Sequence, residues 1–131
     1  MIRTLTRFFL LCAAPVALGA PQLLCHYTYG GVTNTLRSSP QSNPYTTVPV
    51  EIGSYFLFRP QLETAPNGLS AVKLYTYVNK TSGPAIIHQA SYPYPAATRS
   101  QGKYGFTGLQ TVYEPVRDSE LSFWCEMTES R

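Results

Sequence analysis

The residues able to do chemistry are sparse in this chain, and the densest group lies between Ile86 and Phe106. Tyr92, Tyr94 and Tyr104 stand there among prolines and glycines, together with Arg99 and Lys103 and no carboxylate. Tyrosine joins an apolar ring to a polar tip, and the two cations add charge. The combination suits contact with a protein, a sugar face or an anionic polymer. In Tyr92-Pro93-Tyr94-Pro95 each proline fixes its own φ and pushes the preceding tyrosine toward extended backbone. The stretch is therefore expected to be stiff and to pair little with a sheet. Stiff rings lose little entropy on contact. The competing reading is that the rings fold back over an open sheet edge.

Catalytic and metal-binding patterns are thin. His26 and His88 are the two histidines. Together with Met127 or a carboxylate they could form a copper or zinc site, which would make the chain a periplasmic metal-binding protein. Neither belongs to a short-spaced ligand motif. Serine chemistry needs a base and an orienting carboxylate, and there is no Gly-x-Ser-x-Gly stretch. Asp118, the sole aspartate, follows Arg117 in a predicted turn. Glu51, Glu63, Glu114 and Glu120 could supply a carboxylate pair for sugar hydrolysis, but their spacing does not make them converge. Lys103-Tyr-Gly-Phe-Thr-Gly108 lacks the spacing and the Lys-Ser/Thr ending of a phosphate loop. A small hydrolase is thus the weaker expectation, and no cofactor is expected. Asn79-Lys80-Thr81 fits the acceptor pattern for N-linked sugar and lies in a predicted turn.

The elements that must position these residues read as strands. Val, Ile, Thr, Tyr and Phe come in short runs between turn residues. Leu23, Cys25, Tyr27 and Tyr29 alternate along QLLCHYTY; Gly30-Gly31 and VTNTLR complete a hairpin. SSPQSNPY reads as a loop. TVPVEI is a short edge strand because Pro49 cannot donate to a ladder. SYFLFRPQLE reads as a central strand up to Pro60. AVKLYTYV turns Val72, Leu74, Thr76 and Val78 to one side. AIIHQASY, YGFTGLQTVYE and ELSFWCEMT follow. Seven to eight strands at this spacing predict an all-β fold, a small antiparallel β-sandwich of immunoglobulin-like or related Greek-key type.

The N-terminus reads as an export signal. Arg3 and Arg7 precede an apolar run from Phe8 to Leu18, and the small residues Ala17 and Gly19 stand two apart before Pro21. Cleavage is expected after Gly19. The run of about 11 residues is well short of the roughly 20 needed to span a bilayer. The rest, residues 20–131, is the size of one domain and contains no membrane span. Without Arg3 and Arg7, the ten basic residues become eight against seven acidic ones, so bulk charge does not point to nucleic acid. The charge is segregated: residues 64–113 contain no Asp or Glu, and five acids follow from Glu114 onward.

Cys12 leaves with the signal, and Cys25 and Cys125 remain. In an oxidising compartment such an isolated pair is expected to join, clasping the first strand to the last. The immunoglobulin pattern has closer cysteines with a tryptophan between them; here Trp124 sits beside Cys125, and Phe123 shares that cysteine's face. The resulting expectation is a periplasmic or secreted, non-catalytic binding module. Tyr92, Tyr94, Arg99, Lys103 and Tyr104 would contact a protein partner or an envelope polysaccharide.

Overall fold

Gly30 and Gly31 adopt φ of 57° and 79°, the left-handed pair that a tight two-residue hairpin turn requires. They join β1 (Leu23–Tyr29) to β2 (Val32–Ser38). The computed structural model describes residues 14–15, 19–95, 98 and 101–128; Arg99 and most of the expected signal lie outside them. Among the described residues seven further strands follow. They are β3 (Pro40–Gln41), β4 (Val50–Ile52), β5 (Phe56–Glu63), β6 (Ala71–Val78), β7 (Ala85–Pro93), β8 (Gln110–Glu114) and β9 (Ser119–Met127).

Two sheets result. One has the order β2-β1-β9-β8. The other runs β3-β5-β6-β7, with β4 paired to β5 on the same side as β3. All pairings are antiparallel except the two-residue contact of β3 with β5. The inward residues of both sheets meet in one core, which includes Leu23, Phe56, Phe58, Leu74, Leu121 and Phe123. Phe58 and Phe123 meet across the sheets with ring centroids 4.7 Å apart.

Cys25 and Cys125 are bonded, with their Cα atoms 4.1 Å apart, and they are direct cross-strand neighbours in the register of β1 with β9. The bridge therefore lies within one sheet, unlike the inter-sheet bond of immunoglobulin domains. Its register also sets the backbone. Cys125 N–H donates to Thr107 Oγ1, and Cys125 C=O accepts from Phe106 N–H, both on the side away from β1. The cysteines therefore form a non-hydrogen-bonded pair, the closer of the two antiparallel spacings.

Four local expectations change. β5 does not stop at Pro60 but continues to Glu63. Pro60 C=O accepts from Ser38 Oγ, so its N faces the gap between β4 and β3, where no ladder needs a donor. Pro40–Gln41, read as loop, pairs with β5. The strand read as ending at Tyr92 continues through Pro93, so that Tyr92 and Pro93 pair opposite Val72 and Ala71 although their stretch was expected to pair little; the outermost strand and its last residue tolerate the missing N–H. Finally, only Gln110–Glu114 of YGFTGLQTVYE is strand.

β7 turns His88, Ala90 and Tyr92 inward. His88 meets Phe123 edge-on at 5.7 Å. Its Nδ1, like Oγ1 of the opposite Thr76, is buried with no hydrogen-bond partner among the described residues. Desolvation holds the His88 imidazole below its ordinary value of 6.5. The unfolded chain therefore takes up this proton more readily than the folded one. The stability contributed by the neutral ring is complete above about pH 6.5 and is lost as pH falls toward the lower folded value. His88→Leu is expected to flatten that part of the urea-midpoint profile at little cost at neutral pH, because it also removes an unsatisfied polar atom.

Candidate outer-face site

Alternation along β1, β2 and β9 that turns Cys25, Leu36 and Cys125 toward the core turns the residues between them outward. Register then places Thr35, His26 and Trp124 abreast. The imidazole of His26 stacks on the indole of Trp124, with centroids 4.0 Å apart at 27°. Its Nδ1 lies 2.9 Å from Thr35 Oγ1 and its Nε2 lies 2.8 Å from Glu126 Oε1. Tyr104 extends the line on the far side of Trp124, at 6.2 Å and 68°. Lys103 Nζ stands 5.1 Å from the Tyr104 ring centroid. A strip thus crosses the sheet from Thr35 through His26, Trp124 and Tyr104 to Lys103, with Glu126 beside it.

Tyr104 reaches this place because its loop docks on β9. β8 pairs with β9 only as far as Phe123. Beyond that point the edge is served by the loop: Phe106 N–H to Cys125 C=O at 3.1 Å, Cys125 N–H to Thr107 Oγ1 at 2.9 Å, and the Gln101 amide against both backbone groups of Met127. Gly105 makes the approach possible. Its φ is 61°, and a Cβ there would fall 1.9 Å from Cys125 O. The stretch read as a display loop therefore covers a sheet edge and presents Lys103 and Tyr104 at the same time.

The five sequence candidates divide accordingly. Lys103 is exposed and Tyr104 is 37% exposed, and both join the strip. Tyr92 turns inward and meets Phe106 edge-to-face at 5.3 Å, where burial raises its hydroxyl pKa. Tyr94 packs against the core rim, its N–H donating to Ser70 C=O at 3.0 Å. Arg99 lies outside the described residues. Thr35, Trp124 and Glu126 were missed as site residues, yet a signal existed: if Cys25 faces Cys125, antiparallel register puts residue 26 opposite residue 124.

His26 and His88 are not brought together. The first lies on the outer face of the four-stranded sheet, and the second points inward from the edge of the other sheet. Among the described residues no three His, Cys, Asp or Glu side chains gather as a metal would require. Two of the four candidate acids are held by cations. Glu63 pairs with Lys73 at 2.9 Å, a hydrogen bond that raises the lysine pKa. Glu114 is 1% exposed; its carboxylate accepts from Val116 N–H at 3.1 Å, Arg117 N–H at 3.0 Å and Arg117 Nε at 3.3 Å. Arg117 in turn covers the Tyr55 ring at 4.0 Å and donates to Asn79 C=O. Glu114, Val116, Arg117 and Asn79 wall a cavity of about 430 Å³ that also borders Lys80, Thr81 and Ser82. Glu114→Gln should cost about 2–3 kcal/mol in chemical denaturation, because it removes one acceptor oxygen and strips the half-buried Arg117 of its counter-charge.

Thr35, His26 and Glu126 form a hydroxyl–imidazole–carboxylate series, the residue types of nucleophilic catalysis. It lies on the outer face of the four-stranded sheet, with the Thr35 hydroxyl exposed. What the hydrogen bonds achieve is orientation: both ring nitrogens are held, and the imidazole is fixed against the indole. A second aromatic and basic cluster occupies the outer face of the other sheet, where Arg59 lies 4.6 Å from the Tyr75 ring and 5.6 Å from that of Tyr77.

No family model matches the chain, and no match was found among curated proteins or solved structures. The functional reading therefore rests on the geometry of the outer-face strip.

Proposed function

We propose that this chain is an exported, non-catalytic binding module that works in the periplasm or outside the cell, and that its contact surface is the outer face of the four-stranded sheet. The observation that carries the reading is the single line of Trp124, Tyr104 and Lys103, held by His26 and by a docked loop. The intramolecular disulfide fits an oxidising, extracytoplasmic compartment. A protein partner suits the site better than a sugar. Sugar recognition uses open ring faces, whereas one face of Trp124 is already covered by His26. A half-buried tryptophan, a tyrosine and a lysine at a polar rim have the make-up of a protein contact.

The test compares partner recovery from envelope extract by the native chain with recovery by Trp124→Ala and Tyr104→Ala. Truncating an aromatic anchor of an interface typically costs about 2 kcal/mol or more, roughly a thirtyfold weaker complex. Recovery is expected to collapse in both variants while far-UV circular dichroism stays unchanged. Identical recovery of every partner would defeat the proposal. Tyr92→Ala is the contrast: it should lower stability, because its ring packs on Phe106, and leave binding by the folded fraction intact.

A further inference from the structure

The sheet edges of this molecule are not equally protected. β8 is five residues long. The overhang of β9 beyond it is covered by the loop around Gly105. β7 has a register shift opposite Thr76–Tyr77 and ends on Pro93. β3 and β4 have two and three residues, in a segment that also contains Pro40, Pro44 and Pro49. Short length, bulges, prolines, charged side chains and covering loops are the devices that keep an edge from pairing. Of these β2 has only one charge, Arg37. It is seven residues long, regular in register and free of proline, and no described strand or loop pairs with its outer side.

The alternation set by the disulfide shows which β2 groups are free. Cys25 and Cys125 are a non-hydrogen-bonded pair, so Cys25 directs its N–H and C=O toward Leu36, its partner on β2. Leu36 and Asn34 point theirs back to β1. Thr33, Thr35 and Arg37 point theirs away from the sheet, and their side chains lie on the outer face.

We infer that a second copy of this chain adds antiparallel to β2 about a two-fold axis at Thr35, joining the two outer-face strips end to end. Such pairing sets Thr35 against Thr35 of the other copy and Thr33 against Arg37, giving about six backbone hydrogen bonds. The edge is self-complementary, since each Arg37 faces a threonine and not the other arginine. Thr35 is also the end residue of the strip. The axis that satisfies the edge therefore makes one continuous line from Lys103 of one copy to Lys103 of the other, across an eight-stranded sheet. The edge argument stands without the proposed function; only the joining of the strips rests on that reading.

Analytical ultracentrifugation of the disulfide-bonded chain over a dilution series tests the inference. The native chain is expected to pass from monomer to dimer. Thr35→Pro removes one outward N–H, leaves the β1 ladder intact and should weaken the dimer at least about tenfold. Thr35→Val keeps the N–H and should dimerise like the native chain. If Thr35→Pro does not fold, Thr35→Cys decides. Cα atoms of a hydrogen-bonded antiparallel pair lie about 5.5 Å apart, within disulfide reach. Oxidation should then give a covalent dimer with Thr35→Cys and not with Thr111→Cys on β8. A native chain that stays monomeric throughout, a Thr35→Pro chain that dimerises undiminished, or a Thr35→Cys chain that fails to crosslink overturns the inference. Trp124→Ala should leave the dimer intact while it loses the partner, so the two proposals fail separately.

Discussion

Cys25→Ala combined with Cys125→Ala is expected to lower the free energy of unfolding by about 4–5 kcal/mol, the largest single effect anywhere in the chain. The bridge spans 100 residues and so restricts nearly the whole described chain in the unfolded state. In the chain-entropy account a loop of that length is worth about 4–5 kcal/mol. Local losses are smaller. Both residues are fully buried, and alanine leaves only the space of the two sulfurs in the core. The β1–β9 ladder remains available on both sides of the missing bond, because the paired register runs from Leu23 to Thr28. Urea unfolding of the double variant against the oxidised native chain measures the effect. A change below about 1 kcal/mol would mean that the bond merely decorates strands already held together. Reduction of the native chain should reproduce most of the loss.

Gly105→Ala comes next, and it bears directly on the site. A methyl group there meets the Cys125 carbonyl oxygen at 1.9 Å, and the backbone holds φ of 61°, which disfavours a side chain. Neither atom can move cheaply, because one belongs to the central ladder and the other to a turn closed by Gly102 and Gly105. The expected response is undocking of the loop, with loss of the Phe106 and Thr107 hydrogen bonds to Cys125. The cost should be about 2–4 kcal/mol, limited by what docking contributes, since the rest of the sandwich can persist without it. Hydrogen exchange should show the Phe106 and Cys125 amides losing protection while those of β5 and β6 keep theirs. Trp124 fluorescence should shift to the red as Tyr104 leaves it. Retained protection at Phe106 would show that the loop is held by something other than this close approach.

These two variants also mark how far the sequence could be read. Cysteine count paired Cys25 with Cys125: the expected loss of Cys12 with the signal leaves two, and an oxidising compartment is expected to join them. Alternation correctly put Phe123 on the face of Cys125, and Val72, Leu74, Thr76 and Val78 on the inner face of β6. The loop was singled out for its rings and cations, but its division was illegible. Whether Tyr92 or Tyr104 points outward depends on which strand edge the loop meets, and that edge belongs to residues about twenty positions away along the chain. Pro60 misled for a related reason. A proline ends a strand only where its missing N–H faces a partner, and the gap between β3 and β4 that excuses it is a property of the assembled sheet.

By itself, then, the amino-acid sequence determined the class of fold, the faces of its strands and the clasp between its ends, because side-chain alternation, turn residues and cysteine chemistry act over short range or leave one choice. Tertiary structure decided the site. Trp124, His26 and Tyr104 lie in one line only because β1 lies beside β9 in the register of the disulfide and a glycine lets the loop touch that ladder. Register and docking are set by the whole core, and no local run of residues encodes them.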